Sequence, residues 1–408
     1  MSSWAPPAGL QSHTRAASGS LAAPGALIVF CAVLGPMSTL PALRRLLLET
    51  HGLAPSAMHG FVAAGMAGSL LGAPWLGSLA DRRGNHLRLA AWLAALDAAV
   101  ALATSLPALP TVLLFLLRPL HGAASMATLA LLFGSFRGSR RQLVSQVGAA
   151  ALSALAIGPA LGGGLTRLGP AAPFRFAAAL SLLLSGWLLL SARTAASPLQ
   201  PERRELGQVW MLARRLWAPL LLVASQRFAI GGLVAAFAVH LRAAHGLSDA
   251  HVGMCFSLLL CVFAAGTWWL GRRSARDSTG WLVGGALLFA GALTLLGCAP
   301  VGLLLPALGL AGLGAAFVYA PILSLLASQA RPRATAMAML HAAGGVGMVL
   351  GPLGALGVDW ALRGSLAEVR TGAFMAASGI AHALCALGLL PALRALGDQA
   401  ALAAGAAE

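Results

Sequence analysis

Charged residues are scarce in this chain: they make up 9% of its 408 residues, while 59% are hydrophobic. A soluble protein of this length keeps about a quarter of its residues charged in order to stay hydrated. This chain cannot cover itself with polar surface, so lipid must surround it. Backbone polar groups are costly to leave unpaired in hydrocarbon, which allows only α-helices or a closed β-barrel to span the bilayer.

The sequence also lacks the short alternating segments of barrel strands, which run for about 10 residues each. Its apolar runs are rich in Leu, Ala and Gly and reach the roughly 20 residues that a helix needs to cross a bilayer. We therefore predict an all-α membrane protein. Breaks at Pro, Gly and charged clusters divide the chain into twelve candidate spans: 25–43, 57–80, 87–106, 110–134, 143–166, 172–192, 217–240, 250–271, 279–298, 301–327, 334–358 and 371–392.

Lysine is absent, so all 27 basic residues are arginines and the net charge is +16. In a soluble chain this charge would suggest a nucleic-acid partner. Here the arginines lie mainly in short breaks between apolar runs, a pattern that fixes membrane orientation, and we expect no nucleic-acid partner. The cysteines lack metal-ligand spacing, so we expect no metal and no cofactor. Since no nucleotide-binding loop or catalytic triad is recognisable, we do not expect an enzyme.

The longest polar stretch runs from Arg193 to Leu216 and divides the chain into two halves. The first residues lack the apolar core and cleavage site of a signal peptide, which predicts a disordered tail. The predicted organisation is a tail at 1–24, a six-helix bundle at 25–192, a cytoplasmic linker at 193–216, a second six-helix bundle at 217–394 and a C-terminal tail at 395–408.

The arginines are distributed unevenly between the two sides of the membrane. Eighteen lie in segments on the side of the termini, seven lie in segments on the other side, and two, Arg118 and Arg227, lie within spans. Segments on the cytoplasmic side carry the excess of basic residues. We therefore expect both termini in the cytoplasm and the chain in the cytoplasmic membrane, as a monomer in the lipid bilayer.

The two halves repeat short motifs at a nearly constant offset. HGLAPSAMHG begins at His51 and HGLSDAHVG at His245, an offset of 194 residues. Gly158-Pro159 in span five recurs as Gly351-Pro352 in span eleven, an offset of 193. These matches predict two pseudo-symmetric bundles of six helices, with a solute site between them near the middle of the membrane.

The loop after span two reads GSLADRRG, from Gly77 to Gly84. With the twofold repeat, it resembles the signature loop of the major facilitator superfamily, although Asn85 and His86 replace the usual basic pair. The resemblance implies twelve helices and alternating access. It also implies a cytoplasmic latch between the halves that stabilises the outward-open state. The latch residues would be Gly77, Asp81, Arg82 and Gly84.

Span five contains Gly158, Pro159, Gly162 and Gly163. This string resembles the G-P-x-x-G-G motif of the drug:proton antiporter branch of that family. The proline removes a backbone hydrogen bond and bends the helix, and the glycines permit close helix packing. A packing motif shared with non-antiporters is the alternative interpretation.

Span four contains Arg118, His121 and Gly122, which resembles the family's R-x-x-q-G motif with His in place of Gln. In the family the arginine is associated with proton coupling. Asp97 in span three is the one carboxylate within the predicted spans and lies at a similar depth to Arg118, so a salt bridge between them is permitted. Arg118, Asp97 and His121 are the candidates for proton coupling.

The second buried arginine, Arg227, has no carboxylate partner within the predicted spans of its own half. An intramembrane cation normally faces a cavity or a partner. The substrate-cavity candidates are Arg227, Gln226, Tyr319 and His341.

The function predicted from these features is secondary active transport of a small neutral or anionic amphipathic solute, coupled to protons and directed outward. The first alternative is a proton-coupled or facilitative importer of an organic anion. The second is a transporter-like sensor or scaffold that transports nothing.

Overall fold

The computed structural model describes residues 22–83, 86–135, 140–194, 206–271, 278–298, 300–329 and 333–405. Within these ranges the chain folds into thirteen α-helices and short 3-10 and π turns, without strands. The helices are α1 (Ala22–Thr39), α2 (Pro55–Arg83), α3 (His86–Thr104), α4 (Thr111–Ser135), α5 (Arg140–Leu165), α6 (Ala172–Thr194), α7 (Leu206–Arg215), α8 (Trp217–His245), α9 (Asp249–Gly271), α10 (Ser278–Cys298), α11 (Leu304–Gln329), α12 (Arg333–Ala361) and α13 (Ala367–Gly405).

Twelve of these helices, all except α7, are long and apolar enough to cross a membrane. They correspond one to one with the predicted spans, so the prediction of an all-α membrane protein is confirmed. The short helix α7 lies in the predicted linker. Residues 395–405, which were assigned to a tail, continue α13 because Ala and Leu in this segment favour helix. The predicted tail at 1–24 lies almost entirely outside the described residues.

Several helices extend beyond the predicted spans, and this changes the charge content of the membrane region. The spans of α9, α12 and α13 include Asp249, Asp359 and Glu368 at or near their ends. Asp97 is therefore the one carboxylate of the predicted spans but not of the membrane-length helices. The additional acids lie near helix ends, where a window of hydropathy does not separate a helix interior from its polar cap.

The repeated Gly-Pro motifs occupy equivalent places in the two halves. In the first half α5 packs on α1, where a side chain at Gly158 would collide with Met37. In the second half α12 packs on α8, where a side chain at the equivalent Gly351 would collide with the main chain of Phe228. Glycine permits this backbone-to-backbone approach. The structure thus gives the sequence repeat a common packing role.

The apolar core shows how the halves are joined. We call the end of the bundle at which α1 begins the inner end, and the opposite end the outer end. One buried cluster at the outer end contains residues of both halves, among them Leu43, Phe61, Phe237 and Phe256. At the inner end the described buried residues form two separate clusters, one within each half. The halves therefore meet at the outer end and are apart at the inner end.

Candidate functional site

The outer contact between the halves is built partly from the Gly-Pro motif of α5. Pro159 turns its carbonyl toward α9, where Gly253 leaves room for it. The backbone amide of Ala160 donates a hydrogen bond to Oγ of Ser257 on α9, at 2.8 Å. Gly163 lies against the first residues of the same helix. The motif predicted from the sequence therefore forms the junction of the two halves.

A second contact joins α2 of the first half to α12 of the second. A side chain at Gly345 of α12 would meet the side chain of Leu70 of α2. Two turns further toward the inner end, Gly77 of α2 has no atom of the described residues within 4 Å of the position that a Cβ would take. This glycine of the predicted latch is therefore uncovered by the described residues, in agreement with the separation of the inner ends.

The predicted latch falls at the inner end of α2. Asp81 and Arg82 belong to the last turn of this helix, but their side chains, like Gly84, lie outside the described residues. The latch stays a prediction.

A polar cluster lies inside the first half, where α3, α4 and α6 meet. Nδ1 of His121 lies 2.8 Å from Oδ1 of Asp97, and the hydroxyl of Ser181 donates to Oδ2 at 2.8 Å. Asp97 is 3% exposed. The carboxylate is thus held by one side chain from each neighbouring helix, and two of the three proton-coupling candidates are in direct contact.

Arg118, the third candidate, points to a different helix. Its guanidinium lies over the ring of Phe61 on α2, 5.0 Å from the ring centroid, and Gly65 makes room for it. The ion pairs found among the described residues include none of Arg118, so the permitted salt bridge with Asp97 does not form. Asp97 and Arg118 each lie seven residues from the outer end of their helices. However, α4 directs Arg118 toward α2, while His121 faces α3.

Arg227 is a half-buried cation on α8. Its guanidinium lies 5.2 Å from the ring centroid of Tyr319 on α11, and Gly344 of α12 packs against its aliphatic stem. Within the described part of the chain it makes no ion pair. His341 lies one turn before Gly344 on α12 and is exposed. Three of the four cavity candidates therefore cluster between α8, α11 and α12.

The fourth cavity candidate, Gln226, takes a structural position. Its side chain is buried and donates from Nε2 to the carbonyl of Ala315 on α11, at 3.0 Å. It ties α8 to α11 and is not grouped with Arg227 and Tyr319. Neighbours along a helix point about 100° apart, so adjacency to Arg227 in the sequence could not place Gln226 on the same face.

Ser181 and Ser257 are polar residues of these contacts that the sequence did not single out, and His59 is a buried histidine of α2 that it also missed. Serine is common in membrane helices and carries no motif, so the first two gave no usable signal. His59 belongs to the repeated string after His51, and an ionisable residue within a span was a signal that could have been followed.

Twelve membrane-length helices in two related halves, joined at one end and apart at the other, define a membrane transporter. A family model of the Major Facilitator Superfamily matches residues 25–352. The chain belongs to this superfamily, and it is a multi-pass membrane transporter of a small molecule rather than an enzyme. A search of curated proteins finds no match.

Solved structures of similar fold share little sequence with the chain. The nucleoside transporter NupG superposes with a TM-score of 0.72 at 13% identity, covering 92% of this chain and 99% of that one. A bacterial homolog of the human lysosomal transporter Spinster, in an inward-facing and unoccupied conformation, gives 0.68 at 15%, covering 94% and 97%. The human organic anion transporter MFSD10 gives 0.62 at 18%, covering 88% and 99%. At these identities the likeness concerns the fold.

Proposed function

We propose that this chain is a secondary active transporter of a small neutral or anionic amphipathic solute. It moves the solute across the cytoplasmic membrane by alternating access, in the outward direction and coupled to protons. The observation that carries the proposal is the arrangement of the cores. The halves share one buried cluster at the outer end and have separate clusters at the inner end. This is one of the two states between which such a transporter alternates.

The chemistry around Arg227 supports an anionic or neutral solute. The guanidinium has an aromatic neighbour, Tyr319, and no acidic partner among the residues described. A buried cation without a carboxylate attracts a solute anion, whereas an organic cation would be repelled. The aromatic face and the surrounding apolar helices favour a solute that also carries an apolar part.

The polar cluster in the first half supports proton coupling. Asp97 and His121 form a buried pair of titratable groups, and histidine in water changes its charge near pH 6.5. Arg118 lies on the same helix as His121, one turn away, so a permanent positive charge lies near this pair. The Gly-Pro motif of α5, which resembles that of antiporters, supports export over import.

Orientation follows from the arginine bias, which favours the inner end as the cytoplasmic one. Reporter fusions at Arg204 and at the C-terminus are expected to report cytoplasm, and a fusion near His245 is expected to report the outside. A cytoplasmic signal near His245 would contradict the proposed orientation.

The decisive experiment uses proteoliposomes loaded with labelled solutes: amphipathic anions, neutral amphiphiles and, as controls, organic cations. Efflux and uptake are measured with and without a pH gradient. We expect Arg118→Lys to keep solute exchange at equal pH and to lose gradient-driven transport. Arg227→Gln is expected to weaken apparent affinity for anions by about tenfold or more while leaving the response to the gradient intact.

If Arg118→Lys impairs exchange and gradient-driven transport equally, Arg118 is structural and the antiporter assignment loses its residue-level support. A gradient that drives accumulation of an organic anion in the opposite direction would establish the importer, the second candidate, which the unpaired charge of Arg227 also favours. If no solute of any class moves, the sensor or scaffold alternative would replace both.

A further inference from the structure

His59 of α2 lies where the two halves meet at the outer end. The residue is 3% exposed, and its Nδ1 has no hydrogen-bond partner among the residues that the structure describes. The small space beside it is lined from the second half by Ala236 of α8, by Asp359 of α12 and by residues of α13. A titratable side chain of one half is therefore enclosed by three helices of the other.

The charges facing His59 come as a neutral pair. Nε of Arg370 lies 2.7 Å from Oδ1 of Asp359, and both side chains are mostly buried. The two charges of this pair compensate each other, and Oδ1 of Asp359 is engaged by Arg370. A protonated His59 would add an uncompensated positive charge to an enclosed site, which is strongly unfavourable.

The other ionisable groups of the surrounding helices do not offset this cost. On α8, Nδ1 of His240 is engaged with the hydroxyl of Thr371 at 3.0 Å. On α4, Arg118 faces Gly65, deeper in the membrane. His240 and Arg118 thus bring only neutral or positive groups to the surroundings of His59. On α13, the carboxylate of Glu368 makes no ion pair with His59 among the described contacts.

We propose that His59 is a proton-binding site that controls closure of the outer end: the imidazole is neutral while the halves meet there, and it takes up a proton when they part. Parting α2 from α12 and α13 exposes His59 to water, where imidazolium is well solvated. A ligand that binds one of two states better shifts the population toward that state. Protons on the outer side therefore favour the outer-open state. The inference rests on the proposed alternating-access cycle and does not depend on the direction of solute flow.

The test measures the two ends separately in the full-length protein, in lipid nanodiscs, with the native cysteines replaced by serine. Spin labels at Leu168 and Leu366, exposed residues of opposite halves, report the outer end. Labels at Leu190 and Leu387 report the inner end. Label distances are recorded at pH 8.0 and pH 5.5, for the parent protein and for His59→Gln.

Glu49, at the outer end, is a competing source of pH dependence. Partial burial raises its pKa, but the hydrogen bond from Arg44 and the charges of Arg44, Arg45 and Arg242 outweigh this and lower the pKa below the ordinary 4.5. Glu49 thus stays ionised over the chosen pH range. His251→Gln is the matched control, because this histidine is exposed on α9 and shares a hydrogen bond with the hydroxyl of Ser248.

We expect the ratio of outer-open to outer-closed protein to rise about fivefold or more at pH 5.5 in the parent and in His251→Gln. The change is expected to be under about twofold in His59→Gln. Thermal unfolding confirms that the variant is folded, and His59→Asn replaces it if it is not. An absent response in the parent, or a full response in the folded His59 variant, would overturn the inference. If solute moves both label pairs while pH moves neither, His59 is inert and alternating access stands. If neither pair moves under any condition, both proposals fail.

Discussion

The contacts of Asp97 lead to a prediction that separates two models of the buried charges in the first half. In the structure Asp97 contacts His121 and Ser181, while Arg118 faces Phe61. A salt bridge between Asp97 and Arg118 was the pairing that equal depth permitted. The two models differ in which side chain is coupled energetically to the carboxylate.

The magnitudes follow from what each substitution leaves behind. Asp97→Asn keeps the volume of the side chain and an acceptor for the Ser181 hydroxyl, but removes the charge opposite His121. Because the guanidinium of Arg118 faces Phe61, the change strands no arginine, and the cost is that of weakened buried hydrogen bonds, about 1–3 kcal/mol. If Asp97 instead neutralised Arg118, the same change would strand a buried cation at roughly 3–5 kcal/mol.

A double-mutant cycle distinguishes the two models, because it isolates the coupling between two side chains. We expect a coupling of about 1–2 kcal/mol between Asp97→Asn and His121→Gln, and less than about 0.5 kcal/mol between Asp97→Asn and Arg118→Gln. Free energies of unfolding are measured by equilibrium unfolding in mixed micelles. A larger coupling with Arg118 than with His121 would refute the reasoning.

Ser181 provides an internal control for this cycle. Ser181→Ala removes the donor to Asp97 and is expected to cost about 1 kcal/mol or more. Ser185→Ala, one turn along α6 and similarly buried, does not touch the carboxylate and is expected to have the smaller effect. Equal effects of the two changes would mean that the serine hydroxyl adds nothing specific to Asp97.

Three further predictions concern the junction of the halves. Gly77→Ala is expected to leave stability unchanged or to raise it by up to about 1 kcal/mol, since no described residue meets the methyl group and alanine favours helix. The same change is expected to slow transport. Unaltered turnover would show that no helix covers α2 at this position during the cycle. Gly253→Ala is expected to shift the equilibrium toward the outer-open state by roughly 1–3 kcal/mol, because its methyl group collides with the carbonyl of Pro159. The outer-end label distances measure this shift, and an unchanged distance distribution would contradict the backbone contact. Glu49→Gln is expected to weaken closure of the outer end by less than about 1 kcal/mol. Because the pKa of Glu49 is lowered, its contribution is present above the ordinary pKa and fades as pH falls through the lowered pKa. An effect of the substitution confined to acid pH would contradict this sign.

Much of the fold could be predicted because hydropathy and repeats report directly on it. Each transmembrane helix has an apolar run of nearly its own length, and the Gly-Pro strings at Pro159 and Pro352 mark equivalent helices by their offset. The helix ends were less accessible. The long α13 continues through residues that suit helix as well as tail, and only packing decides between them.

The depth of the candidate site residues along their helices could be predicted, but the directions in which their side chains point could not. Asp97 and Arg118 were placed at a similar level, and each does lie in the interior of the first half. Which neighbour each side chain faces depends on the rotation of α4 about its axis, and a largely apolar helix carries little periodicity that would reveal it. For the same reason Gln226 was grouped with Arg227, although it is directed at α11.

At the α5–α9 contact of the junction, main-chain atoms of the two halves come close, and glycine stands where they do. The proposed solute site, by contrast, would be formed by side chains such as Arg227, Tyr319 and His341. Mutations can therefore act on these two parts independently. Exchanging cavity side chains alters which solutes are accepted without touching the moving joint, while at the joint nearly every replacement of glycine adds bulk and so biases the same conformational equilibrium. A lineage of such transporters can diversify its solutes rapidly while its glycines stay fixed.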